Sequence, residues 1–202
     1  HNITVSEGSK KTRILVSGSF NDRDGIVSPG NFKRYILRSN ISHDICKGLN
    51  LNLISGYTRR EYTSSGSSGG NRGGSYFGAA ISTPPTVTAY NDDGTWRNMK
   101  ITYPFSSNAL INLVNYRSTH KNESVNDVIT INAALSWIPV KNVVVKSTFG
   151  LANRNVRHNA YTFSDALEET NGASVSSEFS TSLINENTAT WSQDFTDHHL
   201  SF

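Results

Sequence analysis

The strongest constraint in this sequence is a side-chain period of two, held over runs too long for an ordinary globular strand. In LNLNLISGY, Leu49, Leu51, Leu53 and Tyr57 share one face, and Asn50, Asn52, Gly56 and Thr58 the other. In VITINAALSW, Ile129, Ile131, Ala133, Leu135 and Trp137 oppose Thr130, Asn132, Ala134 and Ser136. RILVSGSFN sets Ile14, Val16 and Phe20 against Arg13, Ser17, Ser19 and Asn21, and YILRSNIS sets Tyr35, Leu37 and Ile41 against Arg34, Arg38 and Asn40. VVVKSTFGL sets Val143, Val145, Phe149 and Leu151 against Lys146, Thr148 and Gly150. The stretch from Ser174 to Gln193 alternates less cleanly but keeps Phe179, Thr181 and Leu183 on one side. Side chains alternate across a strand, so these are β-strands, and helical periodicity is nearly absent. Runs of about ten residues exceed the usual 5–6 of globular strands.

Such a strand has two homes. A soluble sandwich turns its apolar face inward and often loads the outer face with Lys and Glu. An outer-membrane barrel turns the apolar face to lipid over ~9–11 residues and keeps polar residues inside. The connections separate the two. EGSKK, DICKGLN, PVKN and FTDHH are short. They alternate with long connections at Asp22 to Gly30, Thr63 to about Ser124, and about His158 to Ala173. Short turns at one end and long loops at the other are the asymmetry of a barrel with periplasmic turns and extracellular loops. A loop as long as 63–124 without strands of its own argues against a small soluble domain.

Composition agrees. Only 17% of the 202 residues are charged and 36% hydrophobic, both below the usual soluble share, and Ser, Thr, Asn and Gly fill the difference. Net charge is +3 with Lys and Arg scattered, so no basic run marks a nucleic-acid footprint. One cysteine, Cys46, forms no internal disulfide and has no evident paired His for nucleophilic work. No apolar run approaches the ~20 residues of a membrane-spanning helix. The opening HNITVSEGSK lacks the basic and apolar regions of a signal peptide, and His1 in place of Met favours a chain that begins after its targeting segment.

The segment HNITVSEGSKKTRILVSGSFNDRDGIVSPGNFKRYILRSNIS resembles the barrel region of SusC-like TonB-dependent receptors, the RagA/SusC family of Bacteroidetes nutrient importers. PPTVTAYNDDGTW, then YPFSSNALINLVNYR, and the strand pairs from Asp127 to Leu151 and Ser177 to His199 resemble that family in the same order. The resemblance covers essentially residues 1–202. It implies an all-β, antiparallel transmembrane barrel segment of about seven to eight strands from a larger barrel. It implies an extracellular loop at about 63–124, no plug domain in this stretch, and a multi-pass place in the bacterial outer membrane. The implied partners are a SusD-like surface lipoprotein, TonB acting through an N-terminal region not in this sequence, membrane lipid, and an oligosaccharide or peptide cargo. Arg13, Arg34, Arg38 and Lys146 are expected to face the plug or lumen. Phe202 reads as a truncation point, because Asp194, Thr196 and His198 occupy alternate positions that should be apolar.

No catalytic residue, metal ligand set or cofactor is expected. SSGSSGGNRGG (Ser64–Gly74) lacks the GK[ST] ending of a phosphate loop and reads as a surface loop. Asp197, His198 and His199 lack further ligands for a metal and read as a polar turn. Asn91, Asp92, Asp93 and Gly94 fall short of an EF-hand and read as a turn, with Gly94 supplying positive φ. The carboxylates of ALEE (Ala166–Glu169) point to acid–base work on composition alone. The sequons at Asn2, Asn40 and Asn122 read as chance in an Asn-, Ser- and Thr-rich chain. The candidate residues are aromatic: Tyr76, Phe77, Tyr90, Trp96 and Tyr103 of the long loop, either packing it or meeting partner and cargo, where aromatic faces stack on sugar rings. Tyr57, Tyr62 and Trp137 are expected in the interfacial aromatic girdles. The rival readings are a soluble carbohydrate-binding sandwich and an enzyme using Asp92, Asp93, Glu168 and Glu169.

Overall fold

A computed structural model describes residues 1–26, 30–64, 76–104, 110–163, 167, 171–196 and 198–202. Eight strands form one antiparallel sheet in chain order: β1 (Asn2–Gly8), β2 (Thr12–Asp24), β3 (Asn31–Cys46), β4 (Leu49–Ser64), β5 (His120–Trp137), β6 (Val143–Thr162), β7 (Gly172–Asp194) and β8 (His199–Ser201). β5, β6 and β7 contain 18, 20 and 23 residues, well beyond globular length. They outrun the sequence expectation at their loop ends. β5 begins inside the 63–124 range, β6 continues through Thr162, and β2 runs to Asp24.

Residues directly paired across strands share a face of the sheet, so the register tests the alternation. Ile14, Ile41, Leu53, Ala133 and Phe149 form one continuous cross-strand row. Leu37 pairs with Tyr57, Tyr57 with Ile129, and Leu151 with Leu183 on that same face. The opposite face carries the row Ser17, Arg38, Gly56, Thr130, Ala152 and Ser182. Every apolar face read from the sequence thus falls on one side of one sheet. Arg13, Arg34, Arg38 and Lys146 all fall on the other.

Nothing among the described residues covers the apolar side. Leu37, Phe149 and Leu183 keep 54%, 44% and 66% of their surface exposed. The buried apolar residues are Ala79, Met99, Leu110 and Val156, and the first three belong to the β4–β5 connection. A sandwich would need a second sheet against this face, and all eight strands lie in one. Lipid is the solvent that suits an uncovered apolar face with every ladder paired along the strands. No described helix is long and apolar enough to cross a membrane.

The aromatic expectation is corrected at one residue. Tyr57 and Trp137 lie on the apolar side, Trp137 at the short-turn end of β5. Tyr62 pairs with Phe32 and Ser124 on the polar side, because it sits an odd number of residues from Tyr57. It belongs to no lipid-facing girdle. Phe20 and Tyr35, with ring centroids 5.0 Å apart, sit on the apolar side towards the loop end, and Trp191 sits on it at the turn end.

The short turns depend on left-handed backbone. Gly48 (φ 81°) closes the β3–β4 hairpin, and its carbonyl accepts the Ile138 N–H at 2.7 Å. A Cβ there would lie 3.1 Å from the Ile138 carbonyl oxygen. Gly48→Val in the receptor that carries this segment is expected to cost about 1–2 kcal/mol from its left-handed backbone alone. The folded fraction on refolding into detergent, read by heat-modifiable gel mobility, should fall. Gly18→Ala, at a position with nothing within 4 Å, should leave it unchanged.

Candidate extracellular docking site

The turns at 9–11, 47–48, 138–142 and 195–198 all leave one end of the sheet, and the connections at 25–30, 65–119 and 163–171 leave the other. The candidate site is built on this loop end, chiefly from the β4–β5 connection. Three short helices lie within it: α1 (Tyr76–Ser82), α2 (Met99–Thr102) and α3 (Leu113–Thr119). The sequence reading did not anticipate them. The available signals were Asn98 and Asn112, each an N-cap type ahead of apolar residues. Asn98 Oδ1 accepts from the N–H groups of Lys100 and Ile101 at 3.0 and 3.2 Å. Asn112 Oδ1 accepts from Asn115 N–H at 3.2 Å.

Asn112 is the pin of the assembly. It is 5% exposed, and its amide also donates to the carbonyls of Ala89 and Arg97 at 2.7 and 3.0 Å. Those two residues close a small hairpin. Arg97 N–H donates to Ala89 O at 3.0 Å, Asn91 N–H to Thr95 O at 2.9 Å, and Gly94 (φ 80°) makes the turn. The AYNDDGTWR part of the connection (residues 89–97) is therefore a hairpin held to α3, turning at the Asp-Gly pair that the sequence reads as a turn. The β6–β7 connection is tied to the same helix. Leu167 N–H donates to Asn115 Oδ1 at 3.0 Å, and Phe163 N–H to Thr119 O at 2.9 Å.

The structure brings two of the five candidate aromatics together. Tyr90 and Trp96 stack with centroids 4.6 Å apart and planes 25° from parallel. They flank the hairpin turn, and Tyr90 remains 47% exposed. Tyr103 stands apart at the end of α2, its N–H bonded to Met99 O. Tyr76 and Phe77 open α1, and their side chains lie outside the described residues. The Ser64–Gly74 loop beyond Ser64, Asp197 and the carboxylates of ALEE also lie outside them. His199 Nδ1 meets Asp194 Oδ1 at 2.5 Å across the β7–β8 turn. Among the described residues no cluster of His, Cys, Asp or Glu has the makings of a metal site.

The two faces of the sheet handle charge differently near the loop end. On the apolar side, Lys33 meets Asp22 at 3.8 Å, Arg59 meets Glu61 at 2.7 Å and Asp127 at 3.7 Å, and Lys121 meets Glu123 at 2.7 Å. On the polar side, Arg23, Arg34, Arg38, Arg60 and Arg154 have no carboxylate partner among the described residues. Asn21 Oδ1, Arg34 Nε, Asn52 Oδ1 and Asn126 Oδ1 are buried there without a hydrogen-bond partner.

Asp93 is the loop group whose titration is displaced. Thr95 donates to its Oδ1 from the hydroxyl at 2.6 Å and from the backbone N–H at 2.9 Å, holding the carboxyl below its ordinary range. A depressed folded-state pKa means these bonds favour the turn at neutral pH and are lost as pH falls below the unfolded value of about 3.9. The protection of the Asn91 to Thr95 amides, measured against their intrinsic exchange at each pH, should fall on acidification through that range, and Asp93→Ala should lack that protection at every pH. Asn112→Ala should free two carbonyls and a cap. Hydrogen exchange across residues 89–97 should then rise by tenfold or more, a loss of about 1–3 kcal/mol of local stability, with strand amides unmoved.

Comparison with known proteins follows the same outline. No protein-family model matches the chain. It is 26% identical over 212 aligned positions to TonB-dependent receptor P3 of Formosa agariphila, covering 98% of this chain and 20% of that one. It is likewise 26% identical to TonB-dependent receptor P26 of the same organism, covering 98% of this chain and 19% of that one. The sequence thus spans about a fifth of the length of these relatives. In fold it is similar to a chain in the structure of the RagAB peptide transporter, with a TM-score of 0.76, 20% identity, and coverage of 99% of this chain and 23% of that one. With one sheet, one apolar face and loops gathered at one end, the chain has the fold of a β-barrel segment and is similar over nearly its whole length to part of these TonB-dependent receptors.

Proposed function

We propose that this segment forms part of the wall and extracellular rim of an outer-membrane nutrient importer of the SusC-like type. The observation that carries the reading is the single sheet with an apolar outer face, a polar inner face and its long connections at one end. Its role is transport rather than catalysis. Of the carboxylates weighed for catalysis, Glu168 and Glu169 lie outside the described residues. Asp93 is engaged in its own turn, and Asp92 sits exposed beside it at the hairpin tip.

In the proposed cycle, a SusD-like lipoprotein delivers an oligosaccharide or peptide to the loop end. TonB then drives passage by acting on a plug domain outside residues 1–202. The name of the RagAB peptide transporter supports a peptide among the cargo classes. Tyr90, Trp96 and Tyr103, together with Tyr76 and Phe77 at the start of α1, are the residues proposed to meet the lipoprotein or cargo. Of these, the stacked Tyr90–Trp96 pair, with Tyr90 exposed and Trp96 half-buried behind it, is the best shaped for it.

Cells that carry the receptor should accumulate a labelled oligosaccharide or oligopeptide, and a protonophore should abolish accumulation. Uptake that survives the protonophore would overturn energised import. Tyr90→Ala should weaken capture at the cell surface about 2–12-fold, the equivalent of the 0.5–1.5 kcal/mol an aromatic contact supplies. Binding of purified receptor to lipoprotein and cargo in detergent measures it. Unchanged affinity would assign the pair to loop packing alone.

A further inference from the structure

Tyr62 is not alone on the inner face. Phe32 lies directly opposite it on β3, and two residues nearer the turn end Arg34 and Arg60 oppose each other on the same two strands. With strands about 4.8 Å apart and same-face residues about 7 Å apart along each, these four side chains stand at the corners of one small patch. Asn21 on β2 and Asn126 on β5 continue the arginine row on either side. Arg34 follows the start of β3 at Asn31 by a few residues, and Arg60 precedes the end of β4 at Ser64 by a few, so the patch lies at the loop-end mouth of the inner face.

Each part of the patch calls for a different chemical group. Like charges directly opposite on neighbouring strands repel, so Arg34 and Arg60 call for an anion between them. Among the described residues none supplies it. On the inner face of β2–β6 the one carboxylate is Asp44, near the turn end, which already accepts from Asn50 at 2.8 Å. Glu178 shares the row but stands three strands from Arg60, about 14 Å away. Asn21 Oδ1 and Asn126 Oδ1 are buried with no hydrogen-bond partner among the described residues, and each accepts only from a donor such as a hydroxyl. Tyr62 is 51% exposed and Phe32 half-buried, which offers ring faces in an otherwise polar wall.

We propose that this patch binds an acidic sugar unit of the cargo, a pyranose ring that carries a carboxylate or sulfate. The anion bridges Arg34 and Arg60, and the C–H face of the ring lies on Tyr62. Hydroxyls of that unit and its neighbours in the oligosaccharide donate to Asn21 Oδ1 and Asn126 Oδ1. An acidic peptide supplies carboxylates and N–H donors, but the side chains that carry its charge bring no face for the aromatic pair. A sugar acid carries charge, donors and ring face in one unit. The inference rests on the proposed import function and narrows its cargo to acidic oligosaccharides.

Arg60 and Tyr62 give the clean test, because both are exposed and their replacement leaves the sheet's packing alone. Calorimetry on the intact receptor in detergent should show oligogalacturonate or a chondroitin sulfate oligosaccharide binding at least tenfold more tightly than methyl-esterified oligogalacturonate, which keeps the rings and loses the charge. That advantage should shrink as salt is raised. Arg60→Gln should weaken acidic binding tenfold or more, and Arg60→Lys, which keeps the charge, should weaken it less. Tyr62→Ala should weaken it about 2–12-fold, and Tyr62→Phe should leave it unchanged. Absence of binding by both acidic saccharides overturns the proposal. So does oligoglutamate that binds as tightly and responds to Arg60→Gln but not to Tyr62→Ala, which would make the row a site for acidic peptides. Unchanged saccharide affinity in Arg60→Gln, with protonophore-sensitive uptake intact, sinks the sugar-acid site alone. Uptake that survives the protonophore sinks the import function on which the site rests.

Discussion

The structure depends first on where its backbone hydrogen bonds go. In hydrocarbon no water completes an unpaired N–H or C=O, so each strand must be paired along its whole crossing. For β3 to β6 the ladders meet that demand by the simplest route: each strand pairs on both sides with its neighbours in sequence, while β1 and β7 present the edges of the segment, β8 covering only Ser192 to Asp194. The β4–β5 ladder runs without interruption from Leu49↔Trp137 to Ser64↔Asn122 despite the long connection between the two strands. Once pairing is continuous, the pleat decides everything else, because it sends alternate side chains to lipid and to lumen.

The outer face meets its solvent in layers. Trp137 and Trp191 stand at the turn end, an aliphatic belt follows, and Phe20, Tyr35 and Tyr57 stand towards the loop end. Paired charges begin in the same row as Phe20 and Tyr35, where Arg59 meets Asp127 and, one step further along β4, Glu61. The belt from Ile129 to Trp137 on β5 matches the ~9–11 residues a tilted strand needs to cross. The polar exceptions are internally satisfied. Asn185 Nδ2 donates to the Thr148 carbonyl at 3.1 Å, and Asn187 Nδ2 donates to Asn185 Oδ1 at 2.7 Å. These asparagines explain why β7 alternates less cleanly in sequence.

Most of the wall was legible in the sequence because period-two alternation is a direct image of the pleat. Leu49 to Tyr57 and Ile129 to Trp137 needed only to be counted. The sense of Tyr62 was misread because residue type was weighed above parity, and a strand gives no latitude there. The loop was legible at Asp93-Gly94, whose turn chemistry is local, and illegible around α1, α2 and α3. Those helices have seven, four and seven residues, too short to show a period, and such short helices are held by tertiary contacts rather than propensity. The role of Asn112 could not be read either, since its partners Ala89 and Arg97 lie far back in the chain. The aromatic pair Tyr90 and Trp96 was named from composition; their stacking required the hairpin that aligns them.

The closure of the β4–β5 ladder at Ser64↔Asn122 also bears on how such a wall diversifies. The long connection departs and returns at neighbouring points of the sheet, so its contour length is decoupled from strand register. The entropy of closing a loop grows slowly, about 0.6 kcal/mol for each doubling of length. A lineage can therefore lengthen, shorten or replace the whole 65–119 segment while leaving every membrane-crossing pair in place. Freedom in the connection and constraint in the paired strands are separated by one cross-strand pair.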